Sequence, residues 1–285
     1  MSQSQTVQQT LARPGVHQRW INDYYSDESP FYDAAFDRIT DLLADREKST
    51  FLDAGCGDGS HSLRLARRGY PVVAVDLSDY ILEEARRNVA ANNLGHLVTV
   101  ERGSLLDLPA ADGAFDFVLC WGVLMHIPKV EEAVAELARV TKPGGFLVIS
   151  EDNMWSIEST LVRVARRLLS GGLVRRLQGK KPAELSVNAR GAEYWRQTES
   201  GMLLCREARI PWLVQNLKGH GFAMRRRMAG AFIERETSVP TKFLRGWLRA
   251  FNLAWFKYIR LPQPAMGNLL IFQKVTGAET SARPH

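Results

Sequence analysis

The run Phe51-Leu52-Asp53-Ala54-Gly55-Cys56-Gly57-Asp58-Gly59 constrains this chain more than any other stretch. An apolar, strand-like segment delivers an acidic residue into a turn with three alternating glycines, and Ser60 to Arg68 then reads as a helix. Lacking Cβ, glycine lets the backbone turn sharply and approach a ligand closely. A strand, a glycine turn and a helix in succession make a nucleotide-type cofactor site. The spacing departs from the dinucleotide fingerprint G-x-G-x-x-G, whose acid follows about 20 residues later. Here the pattern is D-x-G-x-G-x-G, with Asp53 ahead of the first glycine. A carboxylate there disfavours a pyrophosphate and suits a ligand carrying positive charge.

Around this turn the sequence alternates strand and helix patterns. Apolar runs predict strands at Thr50–Asp53, Val72–Asp76, Val98–Arg102, Phe115–Trp121 and Phe146–Ser150. Helical spacing predicts helices at His61–Arg68, from Ser78 to Asn92, and at Lys129–Val140. Gly69 reads as a C-cap and Ser78 as an N-cap. Strands alternating with helices imply a mostly parallel sheet with right-handed crossovers. Residues 1–15 read as disordered, and His17 to Leu43 as aromatic and helical. Beyond strand five, Ser156–Leu169 has the pattern of a basic amphipathic helix, and a loop-rich stretch extends to Arg206. Helix Pro211–Gly219, strand Phe222–Arg227, an aromatic amphipathic helix Thr241–Tyr258 and strand Asn268–Lys274 complete the expected elements.

Four elements line up at the carboxyl ends of adjacent predicted strands, where open α/β sheets bind ligands. They are the Asp53–Gly59 turn, Asp76, the segment Gly103–Pro109, and Phe115–Trp121 followed by Gly122 to Pro128 with His126-Ile127-Pro128. Together with Lys142-Pro143-Gly144-Gly145 before strand five, this set resembles the class I S-adenosylmethionine-dependent methyltransferases. The bacterial small-molecule branch that includes the ubiquinone O-methyltransferases is most similar. The resemblance covers residues 48–275 and is most specific over 50–150.

It implies an α/β, Rossmann-like seven-stranded mostly parallel sheet with N-terminal helices and a helical insertion after strand five. The implied division is 1–45 as tail and helical lid, 46–275 as methyltransferase domain, and 276–285 as C-terminal tail. The domain includes a substrate cap at 153–206 and the helix 241–258. S-adenosylmethionine is the implied cofactor. Asp53 with the backbone at Gly55, Cys56 and Gly57 would hold its methionine end, and Asp76 would accept both ribose hydroxyls. Ser104 and Leu105 would meet the adenine, Leu77 would pack on its face, and the Trp121 backbone would meet the methionine portion. Many relatives carry Asp where Ser104 stands. The bland alternatives are that Gly55 and Gly57 are turn residues only and that Asp76 merely caps a helix.

Methyl transfer from a sulfonium is an in-line displacement in which alignment and exclusion of water do much of the work. His126 is the candidate general base for a hydroxyl acceptor, because histidine titrates near neutral pH. Packing or orientation is its rival role. Tyr24 and Tyr25 are candidates to close over the cofactor, with core packing as the alternative. Glu151 and Asp152 follow strand five, but no third ligand is evident and no metal is expected.

Net charge is uneven. Residues 1–150 carry 14 Lys/Arg against 21 Asp/Glu, net −7, while residues 151–285 carry 23 against 10, net +13. A solvated basic surface, an anionic substrate, an anionic membrane and nucleic acid each fit that asymmetry. Basic residues beside the aromatic face of 241–258 are what an interfacial helix would show. The acceptor is therefore expected to be a small molecule, lipophilic, anionic or carrier-linked, and a peripheral membrane contact is a further expectation. The rivals are a nucleic-acid methyltransferase and a non-catalytic cofactor-binding protein. No flipped-base motif follows strand four and no RNA-binding module is recognisable. Cys56, Cys120 and Cys205 lack pairing or metal spacing, which favours a reducing, cytoplasmic compartment and argues against zinc. The first residues show no apolar signal core, and no run of 18 apolar residues occurs.

Overall fold

The computed structural model describes residues 2–21, 30–43, 49–169, 185–233 and 241–276. Helices α1 (Gln3–Leu11), α2 (Pro14–Trp20) and α3 (Pro30–Thr40) lead the chain. The core then alternates β1 (Phe51–Ala54), α4 (Ser60–Ala66), β2 (Val72–Asp76), α5 (Asp79–Ala91), β3 (Val98–Arg102), β4 (Phe115–Trp121), α6 (Val130–Val140) and β5 (Thr141–Asp152). Next come α7 (Ile157–Leu169) and three strands, β6 (Leu185–Val187), β7 (Gly191–Thr198) and β8 (Gly201–Ala208). Helix α8 (Ile210–Gly219), β9 (Phe222–Ala229), α9 (Lys242–Ala254) and β10 (Gly267–Lys274) follow.

Seven strands form one sheet in the order β3-β2-β1-β4-β5-β10-β9. The first five are parallel, while β10 runs antiparallel to both β5 and β9. The chain winds outward from β1 to β3, then returns to place β4 on the other side of β1. That reversal leaves a crevice at the carboxyl ends of β1 and β4.

Strand side chains alternate between two helical layers. Phe51, Phe117 and Leu119 pack with Phe36 of α3, Leu63 of α4 and Leu82 of α5. Leu52, Ala54, Val118 and Cys120 pack with Val134 and Leu137 of α6 and Leu213 of α8. Both faces of the sheet are thus buried, which explains the nearly continuous apolar runs of its central strands.

Three expectations give way. The first residues are not disordered: Ser2 and Gln5 close a capping box and start α1. The helix docks on β8, where Thr10 donates to the Met202 carbonyl at 2.9 Å and Val7 packs with Leu203 and Leu204. The stretch read as loop-rich after residue 184 is an antiparallel meander, β6-β7-β8. Tight turns and a half-exposed surface mask its alternation, so the insertion is helix α7 plus a small sheet. Ser78 precedes α5, but its hydroxyl makes no capping bond and is buried without a partner. Asp76 accepts the Ser78 N–H instead, at 3.0 Å.

Among the described residues no helix is long and apolar enough to cross a membrane. The charge asymmetry is partly internal. Arg163 pairs with Glu207 at 2.9 Å and Arg206 with Glu193 at 2.7 Å, so several cations of the basic half hold the insertion together.

Candidate cofactor site

A cavity opens at the carboxyl ends of β1 to β4, with about 810 Å³ of space including its solvent-facing mouth. Its floor is the turn after β1. Gly55, Gly57 and Gly59 all have positive φ, at +84°, +54° and +79°, in the left-handed region where glycine carries no Cβ penalty. At Gly55 a Cβ would also overlap the Val123 side chain. The backbone of this turn can therefore lie against a ligand.

Asp76 ends β2 and lines the cavity. One carboxylate oxygen accepts the Gly57 N–H at 3.1 Å and the other accepts the Ser78 N–H. The carboxylate thus welds the glycine turn to the start of α5, and each oxygen keeps a lone pair for a ligand hydroxyl. Burial raises its pKa, against the opposing pull of the backbone donors and of His17. A pair of vicinal hydroxyls is the chemistry such a carboxylate recognises.

Leu77, Ser104, Leu105 and Trp121 line the same cavity. The Ser104 hydroxyl accepts the Leu106 N–H at 3.1 Å and keeps capacity for one further partner. Asp53 and Cys56 do not line it. Asp53 occupies the same face of β1 as Phe51, so its side chain points toward α4. There it accepts the Ser62 hydroxyl at 2.6 Å and is only 1% exposed. Burial, helped by the nearby charges of Asp76 and Asp58, pushes its pKa up to about 7. The expectation that its side chain meets the ligand directly is corrected by strand alternation. Cys56 packs under the turn among the residues between the sheet and α3–α5, and burial raises its thiol well above the usual range. Tyr24 and Tyr25 lie outside the described residues.

His126 ends a short 3-10 turn, Leu124–His126, beyond β4 and lines the cavity. Its Nδ1 lies 2.7 Å from the Leu204 carbonyl. A carbonyl only accepts, so Nδ1 carries the proton and the neutral ring leaves the Nε2 lone pair free. The ring stacks on Trp20 with centroids 5.3 Å apart. Burial lowers its pKa to about 4, with the Leu204 hydrogen bond opposing and the Arg206 and Arg196 charges assisting. The inserted sheet grips this turn at several points. Arg206 donates to the Leu124 carbonyl at 2.9 Å and the Ile127 carbonyl at 3.1 Å, and Arg190 donates to the Pro128 carbonyl at 3.3 Å.

The sequence led us to expect a helical lid within residues 1–45 but did not single out the residues that line the cavity. Ser4, Val7, Gln8 and Leu11 of α1, with His17 and Trp20 of α2, complete the cavity wall. Of the first four only Val7 and Leu11 are apolar, which leaves the helical periodicity of α1 too weak to read. Among the described residues no group of three or more His, Cys, Asp or Glu is placed to hold a metal ion.

Residues 52–149 match the family model of a methyltransferase domain. A ubiquinone biosynthesis O-methyltransferase of Xanthomonas oryzae pv. oryzae is 36% identical over 157 residues, which cover 53% of this chain and 65% of that protein. The match therefore stops short of two thirds of the relative's length. Among solved structures, the CcbJ methyltransferase of Streptomyces caelestis superimposes with a TM-score of 0.59 at 15% identity, covering 97% of this chain and 100% of the other. Magnesium protoporphyrin IX methyltransferase (ChlM) of Synechocystis, with bound SAH, gives a TM-score of 0.56 at 18% identity, covering 90% and 93%. These structures share the fold.

Proposed function

We propose that this chain is a class I S-adenosylmethionine-dependent methyltransferase that moves a methyl group to an oxygen, or a nitrogen, of a small lipophilic acceptor. The observation that carries the reading is the convergence of the Gly55–Gly57 turn and the Asp76 carboxylate on one cavity at the β1/β4 switch point. When bound, S-adenosylmethionine supplies a methyl group already activated on a sulfonium. The residues present fit it: Asp76 offers acceptors to the ribose, Ser104 and Leu105 line the adenine side, and the glycine turn admits the methionine portion.

The remaining work falls to this chain's own groups. His126 is held neutral with Nε2 open, so it accepts a hydrogen bond from an acceptor hydroxyl and aligns it. A pKa of about 4 makes it a weak resting base. It therefore orients the acceptor, and it takes up the proton only as the attacking oxygen gains positive charge. Trp20 and the inserted sheet close the cavity and exclude water.

The test is twofold. S-adenosylhomocysteine at a hundredfold excess over its Kd should raise unfolding stability by about 2.7 kcal/mol, and Asp76→Ala should abolish the effect while remaining folded. Methyl-labelled cofactor incubated with a lysate split into lipid, aqueous and nucleic-acid fractions should label a small molecule in the first two. Label confined to nucleic acid would reverse the acceptor assignment, and the absence of any thermal response would remove the cofactor reading.

A surface observation supports a membrane-proximal acceptor. Helix α9 turns Leu248 and Asn252 inward and leaves Phe243 86% and Trp247 58% exposed, with Tyr258 beyond it 80% exposed. Lys257 and Arg260 are exposed at the same end. An aromatic stripe rimmed by cations suits an anionic lipid surface. Salt-sensitive pelleting with anionic liposomes, lost in Phe243→Ser/Trp247→Ser, is the expected result, and no pelleting at low salt would dismiss it.

A further inference from the structure

His17 lines the cavity and carries a buried ring nitrogen with no hydrogen-bond partner among the described residues. It sits on α2, is 3% exposed, and faces the cavity together with Asp76. Its Nε2 lies 2.5 Å from the Leu11 carbonyl. Because that carbonyl can only accept, Nε2 bears a proton, and in the neutral ring Nδ1 is then an acceptor. Yet Nδ1 is buried and has no hydrogen-bond partner. Leaving a buried acceptor unmade is costly, and native proteins rarely do so without a reason.

The neighbourhood indicates what Nδ1 awaits. His17 and Asp76 line the same cavity, and Asp76 already spends one lone pair of each oxygen on Gly57 and Ser78. A ligand presenting two adjacent hydroxyl donors beside Asp76 would find a second, uncharged acceptor in His17. We infer that His17 is a cofactor-binding residue whose Nδ1 accepts a hydrogen bond from one ribose hydroxyl, latching the N-terminal helices onto the bound cofactor. This rests on the reading of the cavity as an S-adenosylmethionine site, and adds to it a residue and a consequence.

The consequence follows from what carries His17. The Val16 N–H donates to the Ser200 hydroxyl at 3.1 Å, and Arg13 donates to the Ser200 carbonyl at 2.9 Å. A bond from His17 to the ribose therefore ties three parts together: the core sheet through Asp76, the N-terminal roof, and the inserted β7–β8 hairpin. Cofactor binding and closure of the roof become one event.

Two substitutions separate the two ring nitrogens. In His17→Gln the terminal amide reaches the position of Nε2 and keeps the Leu11 bond, but no acceptor stands at Nδ1. In His17→Asn the amide oxygen stands where Nδ1 was, and the Leu11 bond is lost. Calorimetry with S-adenosylhomocysteine and its 2′-deoxy and 3′-deoxy analogues reads the difference. His17→Gln should bind S-adenosylhomocysteine about 5- to 10-fold more weakly, the worth of one hydrogen bond to a neutral acceptor. One deoxy analogue should bind the wild type and His17→Asn more weakly than the parent ligand, by a margin that shrinks in His17→Gln. Amide exchange in residues 3–20 should slow on ligand binding in the wild type, and slow less in His17→Gln. Wild-type affinity in His17→Gln, or an undiminished deoxy penalty in that variant, overturns the inference and leaves the cofactor reading intact. Failure of the wild type to bind S-adenosylhomocysteine at all overturns both.

Discussion

Replacing Asp53 with asparagine should stabilise the protein by an amount that grows with pH. The carboxylate is buried against α4 with Ser62 as its hydrogen-bond partner, and burial raises its pKa from 3.8 to about 7. Below pH 3.8 the native and unfolded chains both hold the proton, and the group has no effect on the balance. Between pH 3.8 and about 7 the unfolded chain releases its proton while the native state keeps it. Stability falls as pH rises through this window, by about 1.4 kcal/mol per unit. Above the window the deficit is constant, on the order of 4 kcal/mol, a large share of the roughly 5–15 kcal/mol that holds a domain folded. Asparagine has the same shape, cannot ionise, and offers an oxygen to Ser62. Its amide N–H2 wants a partner, which costs about 1–3 kcal/mol if none is found, but that cost does not vary with pH. The slope of the difference is therefore the signal. Urea unfolding of both proteins at pH 5, 6, 7 and 8 should show curves that diverge in favour of Asp53→Asn. Parallel stability curves would refute the reasoning, because they would mean that Asp53 is ionised in the native state throughout.

Gly55→Ala should destabilise by about 2 kcal/mol or more, since a non-glycine residue at φ +84° is strained and its Cβ overlaps Val123; urea unfolding measures this, and calorimetry should show ligand affinity lost alongside. His126→Ala should lower kcat by about tenfold, short of the 10²–10⁴ of a full general base, and the wild-type rate should show no inflection from this ring between pH 6 and 9, because its pKa lies at about 4. A fall beyond a thousandfold together with a wild-type inflection near neutrality would restore the base assignment. Arg206→Ala should cost about 3 kcal/mol or more by leaving Glu193 and two turn carbonyls short of a buried donor, with kcat falling in step with the misplacement of His126. Unchanged unfolding in that variant would show that the turn holds itself.

The cofactor half was legible because its determinants are local. Strands β2, β3 and β4 have the bounds read from the sequence, since each is an apolar run closed by turn residues. The glycine turn, Asp76, Ser104 and His126 are each fixed to the end of one such strand, so the order of elements alone brings them together. What the sequence hid depends on distant partners. Val7 and Leu11 are too few to declare a helix in MSQSQTVQQTL, and α1 is held in place by β8, with Thr10 and Met202 192 residues apart in the chain. The meander β6-β7-β8 has no glycine–asparagine hairpin signal, and its turn at Glu199–Ser200 is secured by Val16 and Arg13 from α2. The direction of the Asp53 side chain was in principle readable from strand alternation with Phe51, but the motif drew attention to its charge and away from its face.

The non-local parts share one wall. Leu204 holds the His126 ring through its carbonyl, while its side chain packs with Val7 and Val16 of the roof. Trp20 stacks on the other side of that ring. The His126 ring is thus positioned by the insertion and the N-terminal helices, with little help from the strand that precedes it. Changes in residues 191–208 that leave the Ser200 bonds to α2 intact should alter acceptor selection before they alter cofactor affinity, because Asp76 is bonded to the glycine turn and to the start of α5. A fold built this way can keep its methyl donor fixed while the insertion is rebuilt around a new acceptor. On the proposed reading, the residues that would hold the donor are legible in sequence because their determinants are local, and those that would choose the acceptor are not.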